Sequence, residues 1–231
     1  MGLRLGVGLG ASRSVAWSPA QLSGLNLWVR ADVYSLASGK IDTWTDLSGK
    51  GNSPTQATAG NRATPVAAQV NWQPILRFSG SYYRVTFAGA LSQPNTFFCV
   101  LKCSNMASVP SLWDGVAAGH RALVYGGGAT TVNLTNGTVQ IGSAAIDIST
   151  FTTLIVTHNG ASSNIEANGT SKVTGDAGSN DITGITIGED ALVSTTPPNA
   201  DVAEFGVING AVSGAQLASL RGYLRARYAT W

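Results

Sequence analysis

Lys40-Ile41-Asp42-Thr43-Trp44-Thr45-Asp46-Leu47-Ser48-Gly49-Lys50-Gly51-Asn52 begins as a strand and ends as a turn. In its second half Gly49 and Gly51 permit positive φ, while Asp46, Ser48 and Asn52 can hydrogen-bond their own backbone. A tryptophan leading into such a polar run predicts a core anchor, Trp44, that holds a shaped surface loop. Strand followed by structured turn is the pattern of an antiparallel all-β protein. The same pattern recurs along the chain. Asn136-Gly137 separates Thr131–Thr135 from Thr138–Ile141, and Asn168-Gly169 separates Asn164–Ala167 from Thr170–Val173. Asn-Gly between alternating strands marks a hairpin, because both residues accept the positive φ of a type I′ turn.

The remaining elements fall around these. Leu25–Arg30, Ile75–Phe78, Tyr82–Phe87, Phe97–Cys103, Arg121–Tyr125 and Phe151–His158 read as strands. Ser18-Pro19-Ala20-Gln21 has the form of a capping box with proline in the first turn and predicts one short helical turn. Residues 50–73 read as a long polar loop tied down at Trp72, and Gly126-Gly127-Gly128 as a break after Tyr125. One long helix is expected, capped by Ser213 with Gln216 three residues on. Leu217, Leu220, Leu224 and Tyr228 form its apolar stripe. Arg225 and Arg227 in its last turns complement the helix dipole.

Three groups of residues carry a family resemblance. Leu25 to Phe78, with Leu-Trp-Val-Arg-Ala-Asp, Thr-Trp-Thr-Asp-Leu-Ser-Gly-Lys-Gly-Asn and Pro-Ile-Leu-Arg-Phe-Ser-Gly, resembles the front half of a concanavalin A-like (laminin-G-like) lectin/glucanase jelly roll. Ile185–Gly188 and Ala203–Val207 resemble its late strands, and Leu217–Tyr228 its terminal helix. The resemblance implies an antiparallel β-sandwich over residues 17–231 with one C-terminal α-helix. Residues 1–16 stand apart as an extended N-terminal arm. There Leu3, Leu5, Val7 and Leu9 alternate with Gly2, Gly6, Gly8 and Gly10, interrupted by Arg4. That is strand periodicity with one bare face, suited to close approach by a partner.

Composition narrows the function classes. Charged residues are 11% of 231, and the formal charge is +2, so nothing points to nucleic acid. No apolar run reaches the 18 or so residues of a membrane helix. Glycine cuts the apolar start of the chain, so residues 1–16 read as mature protein rather than a signal peptide. Cys99 and Cys103, four apart in one strand, would have Cα atoms about 13 Å apart. A disulfide spans less than about 7 Å. Two free thiols are expected, which suits a reducing compartment.

The chemistry-bearing residues are sparse. A glycosidase of the resembled superfamily needs two carboxylates facing across a sugar, often as Glu-x-Asp-x-Glu on one strand face, and no such run is present. Asp201 and Glu204, three apart, would lie on opposite faces of a regular strand. His120 and His158 have no metal-ligand partner at useful spacing. Calcium is the cofactor that the resemblance leaves open, with Asp46, Asn52 and Asp114 as loop oxygen ligands. Local turn hydrogen bonding is the stronger reading of all three. Trp113, Asp114, Tyr125, Tyr82 and Tyr83 are the candidate glycan contacts, since a sugar ring offers an apolar face edged by hydroxyls.

These features favour a non-enzymatic assembly subunit over a hydrolase. The resemblance adds that such jelly rolls occur in tailed-bacteriophage particles, and the expectation is a capsid decoration protein or a tail or fibre component, assembled in the host cytoplasm. Its partners would be other virion proteins bound through the arm and further copies of itself. A glycan-binding module is the alternative.

Overall fold

The computed structural model describes residues 16–136, 140–193 and 197–231, without the side chains of 142–144. The strands, in chain order, are β1 Leu25–Arg30, β2 Tyr34–Ala37, β3 Lys40–Trp44, β4 Thr64–Val70, β5 Gln73–Ser79, β6 Tyr83–Leu91, β7 Asn95–Cys103 and β8 Ser111–Asp114. They continue as β9 Leu123–Gly128, β10 Thr131–Thr135, β11 Gln140–Ala145, β12 Thr152–His158, β13 Ser163–Ala167, β14 Thr170–Gly175, β15 Ile182–Ile187 and β16 Asn199–Asn209. Helix α1, Gly214–Tyr228, follows. Every pairing between these strands is antiparallel.

Two sheets face each other. One has the order β14-β13-β12-β7-β16-β5-β4, with β1 also on β16; the other runs β11-β10-β9-β8-β15-β6. Between them Trp113 stacks on Phe97 at 6.2 Å and meets Phe205 edge-on at 5.4 Å. The chain is thus an all-β sandwich closed by one C-terminal helix.

Strand β7 explains the layering. Phe97, Cys99 and Leu101 point into the inter-sheet core, while Phe98 and Val100 belong to a second apolar cluster with Leu220, Leu224 and Tyr228 of α1. A strand covered on both faces reads as a continuous apolar run rather than an alternation. Gly206 on neighbouring β16 makes room for this arrangement. A Cβ there would lie 2.2 Å from the Phe98 ring.

The opening stretch folds as its residues demand. Trp44 is fully buried against Phe78 and Tyr83, with its Nε1 donating to the Arg30 carbonyl at 2.7 Å. Asp46 then organises the loop. Its Oδ1 accepts from the backbone N–H of Trp28 and Ser48, and its Oδ2 from Ser48 Oγ and the Asn52 N–H, all within 3.0 Å.

Several expectations are corrected. Residues 50–73 are not one loop, because β4 lies within them. Trp72 ties nothing down and projects into solvent. The triple glycine extends β9 rather than breaking it. Ser18 and Ser213 stand at helix starts, but neither makes a side-chain cap hydrogen bond. Asn168 and Gly169 do have the positive φ of a type I′ turn. The Gly137 turn and the arm residues Leu3, Leu5, Val7 and Leu9 lie outside the described residues. Cys99 and Cys103 are free, buried and on one strand, and burial raises both thiols above their ordinary pKa.

Leu220 and Leu224 are fully enclosed beneath α1. Leu220→Ala or Leu224→Ala should each cost roughly 2–5 kcal/mol in chemical denaturation. An unchanged midpoint would mean that the stripe does not pack on the sheet in solution.

Candidate functional site

Three adjacent strands bring charge together on the outer face of the eight-stranded sheet. Asp201 of β16 sits in register with Arg77 of β5 on one side and Lys102 of β7 on the other. Each lies between inward-facing core residues, so strand alternation turns all three away from the core. Arg77 Nε and Nη2 donate to the two Asp201 carboxylate oxygens at 2.7 and 2.9 Å, and Lys102 Nζ reaches Oδ2 at 3.2 Å. Lys102 also lies 5.0 Å from the Phe151 ring centroid. Burial pushes the Asp201 carboxyl up, but the two cations outweigh it and hold it below the ordinary range.

A cleft of about 450 Å³ opens here, lined also by Ser79, Ser104, Ser149 and Asn199. Two cations against one carboxylate leave one net positive charge. Asp201 is committed to its partners and cannot serve as a free base. The Arg77 and Lys102 side chains are 48% and 38% exposed, so their remaining N–H groups can meet a ligand. The wall can therefore hold an acidic group beside hydroxyls.

Glu204 lies on the same outer face, which corrects the expected separation from Asp201. The register of β16 on β7 shifts between Val202 and Glu204. This bulge inserts Ala203 and breaks the two-residue period. Glu204 is completely enclosed beneath the helix. Its Oε1 accepts from Trp28 Nε1 at 2.5 Å, and its Oε2 from Tyr228 and Tyr223 hydroxyls at 2.5 and 3.2 Å. Burial raises its pKa to about 7 despite these donors. The group fastens the helix to the sheet and faces no cleft.

The structure divides the residues that the sequence singles out. Trp113 is 1% exposed and Tyr83 is wholly buried, both inside the inter-sheet core. Neither can stack on a sugar, because a core aromatic offers no free face. Asp114 is enclosed as well. Its Oδ1 takes the N–H groups of Gly115 and Ala122, while its Oδ2 takes Arg121 and the Ala191 N–H. Tyr125 remains half-buried on β9, its hydroxyl donating to Gln140 Oε1 at 2.6 Å. Tyr82, also half-buried, precedes β6 and lies three strands away in that sheet.

Of the calcium candidates, Asp46 and Asn52 meet, but in the loop network described above. Asp46 and Asp114 have their oxygens filled by backbone and side-chain donors, which leaves no pair of free lone pairs for a cation. His120 Nδ1 lies 2.5 Å from Asp181 Oδ1, a hydrogen-bonding contact that joins two loops. His158 is enclosed, and burial drives its pKa down to about 3, so the ring is neutral. Sequence reasoning missed Arg77 and Lys102. Their signal was a single cation inside each apolar run, Leu76-Arg77-Phe78 and Leu101-Lys102-Cys103.

No protein-family profile matches the chain, and no curated protein does. Solved structures share the fold at low identity. A GH54 α-L-arabinofuranosidase soaked with a cyclic sulfate inhibitor is similar over 90% of this chain and 60% of its own, with TM-score 0.66 and 18% identity. Trypanosoma rangeli sialidase in complex with sialic acid matches 86% of this chain and 32% of its own, with TM-score 0.62 and 13% identity. The receptor-binding domain of botulinum neurotoxin D matches 87% and 52%, with TM-score 0.62 and 10% identity. The chain thus spans between a third and three-fifths of those proteins. What the likeness carries is the β-sandwich fold.

Glu204 makes a pH prediction. A carboxyl whose folded pKa of about 7 exceeds the ordinary 4.5 binds more protons folded than unfolded between those values. Its contribution to stability is therefore full below pH 4.5 and lost as pH rises towards 7. Glu204→Gln should remove that loss. The stability difference between variant and wild type should shift in the variant's favour by roughly 3 kcal/mol from pH 4.5 to 7.5. Parallel denaturation profiles at the two pH values would show that Glu204 is ionised throughout.

Proposed function

We propose that the chain is a non-enzymatic recognition module, a lectin-like sandwich that binds saccharides bearing an acidic group in the cleft of Arg77, Lys102 and Asp201. The observation that carries this reading is the positive trio set among serine hydroxyls and an asparagine amide. An acidic sugar presents a carboxylate or sulfate for the cations and hydroxyls for the neutral groups. A sialidase in complex with sialic acid and an arabinofuranosidase among the structural neighbours support a saccharide ligand. Against hydrolysis stands the placement of the carboxylates. The cleft contains Asp201 alone, and a second cleft, near Leu25, Ser48 and Asn209, is lined by no carboxylate. Glycoside hydrolysis needs a facing pair.

An array of acidic and neutral saccharides tests the cleft. Wild-type protein should bind acidic members, and Arg77→Met together with Lys102→Met should weaken that binding at least about tenfold, or about 1.4 kcal/mol. Acidic binding that survives the double substitution would refute the assignment.

A second reading concerns context, and the two are compatible. The low charge and the Leu/Gly-alternating residues 3–9 favour a virion subunit of a tailed bacteriophage that attaches to other particle proteins and to its own copies. A bare backbone face lets another chain approach closely and share hydrogen bonds. Deleting residues 1–16 should leave the melting temperature of the sandwich nearly unchanged while weakening self-assembly or attachment. Truncated protein that assembles like the full chain would reduce the segment to a tail.

A further inference from the structure

The turn between β4 and β5 carries a side chain that the fold does not use. Trp72 is 86% exposed, well beyond the next most exposed large apolar residue described, Leu192 at 59%. It occupies the second position of the two-residue turn Asn71-Trp72, closed by the pairing of Val70 with Gln73. Their φ values are +42° and +62°, both positive as in a type I′ turn. Glycine is the residue favoured at that second position, and a bulky aromatic there is an outlier. The sequence therefore keeps an indole where its backbone is unfavourable and its ring is in water.

The turn holds this indole in place. Val70 and Ile75 are buried in the cluster beneath α1, and Asn71 Nδ2 donates to the Arg227 carbonyl at 2.9 Å. The surroundings define what the ring can meet. β4 is an edge strand, but Pro65 and the register shift between Val66 and Val70 blunt it as a pairing edge. From Thr64 to Leu76 the sequence has no charged residue, and the Arg227 guanidinium turns away to Asp32 at 3.2 Å. Ala67, Ala68, Gln69 and Asn71 are exposed, and Gln73 is half-buried. A protein hot spot sits within contacts that exclude water, and a membrane-surface element combines several apolar groups with cations. Neither pattern is found at this turn. An isolated indole edged by uncharged amides matches the apolar face of a neutral sugar ring, with the amides facing its hydroxyls.

We propose that Trp72 is the stacking platform of a second binding site, specific for a neutral saccharide and separate from the Arg77–Lys102 cleft. The proposal deepens the carbohydrate-recognition reading above and rests on it, while using none of the same residues.

Affinity electrophoresis of the full chain through gels containing a soluble β-glucan, a galactomannan or a dextran tests it. At least one of these should retard the wild type. Trp72→Ala should abolish that retardation, raising Kd at least about tenfold, with an unchanged melting temperature. Trp72→Gly should abolish it equally while leaving the melting temperature the same or higher, because glycine accepts the positive φ. The Arg77→Met, Lys102→Met variant should be retarded like the wild type. Absence of retardation by all three polysaccharides would overturn the proposal, and so would retardation that Trp72→Ala leaves intact. Binding to phosphatidylcholine vesicles or dimerisation that Trp72→Ala abolishes would also overturn it, by giving the ring to a lipid surface or a second copy. A blank neutral panel beside intact acidic binding would remove the Trp72 site alone.

Discussion

The structure depends on one constraint: the central strands of the larger sheet are covered on both faces. β16 pairs with β7, β5 and β1, so it has little freedom to shift. The smaller sheet covers its inner face, and α1 with the segment before β1 covers its outer face. A doubly covered sheet cannot leave a polar group unpaired without a penalty of about 1–3 kcal/mol. Glu204 is admitted beneath the helix because Trp28, Tyr223 and Tyr228 all donate to it. The buried thiols of Cys99 and Cys103 are held from reactivity by the same enclosure.

Much of this was legible where local chemistry alone sets the outcome. Leu25–Arg30 and Thr131–Thr135 became strands with the expected bounds, and Asn168-Gly169 turned as Asn-Gly turns. The helix stripe Leu220, Leu224 and Tyr228 is buried because a period near 3.6 selects one face. Trp44 was readable because a large aromatic beside a polar turn has one place to go. Where the same rules gave the wrong result, a neighbouring element had intervened. Trp113, beside the expected loop ligand Asp114, read as a surface glycan contact. A four-residue strand instead carries it into the core, where Phe97 and Phe205 enclose it.

The cleft was less legible for a different reason. Arg77, Lys102 and Asp201 are distant in sequence, and only the pairing register of three strands makes them neighbours. The bulge at Ala203 has no sequence signature of its own, yet it decides that Asp201 and Glu204 share a face. Trp72 was misread because its turn uses Asn-Trp where Asn-Gly is the recognisable signal. Thr64–Val70 also lacks clean alternation, since four of its seven side chains are exposed. A weakly patterned edge strand does not announce itself.

The distribution of carboxylates joins the architecture to the proposed role. With only twelve Asp and Glu in the chain, an acidic site would have to draw on few groups, and several are already committed. Asp46 gathers three backbone N–H groups of β1 and its own loop, and Asp114 gathers three more from two loops. Each replaces ladder hydrogen bonds that irregular backbone cannot make for itself. Loops fixed in this way shape the sandwich rim. Among the groups that face solvent are the spare N–H atoms of Arg77 and Lys102 and the uncharged turn that carries Trp72. In the proposed role they hold a ligand, the Arg77 and Lys102 N–H groups an acidic one and the Trp72 indole an apolar ring face.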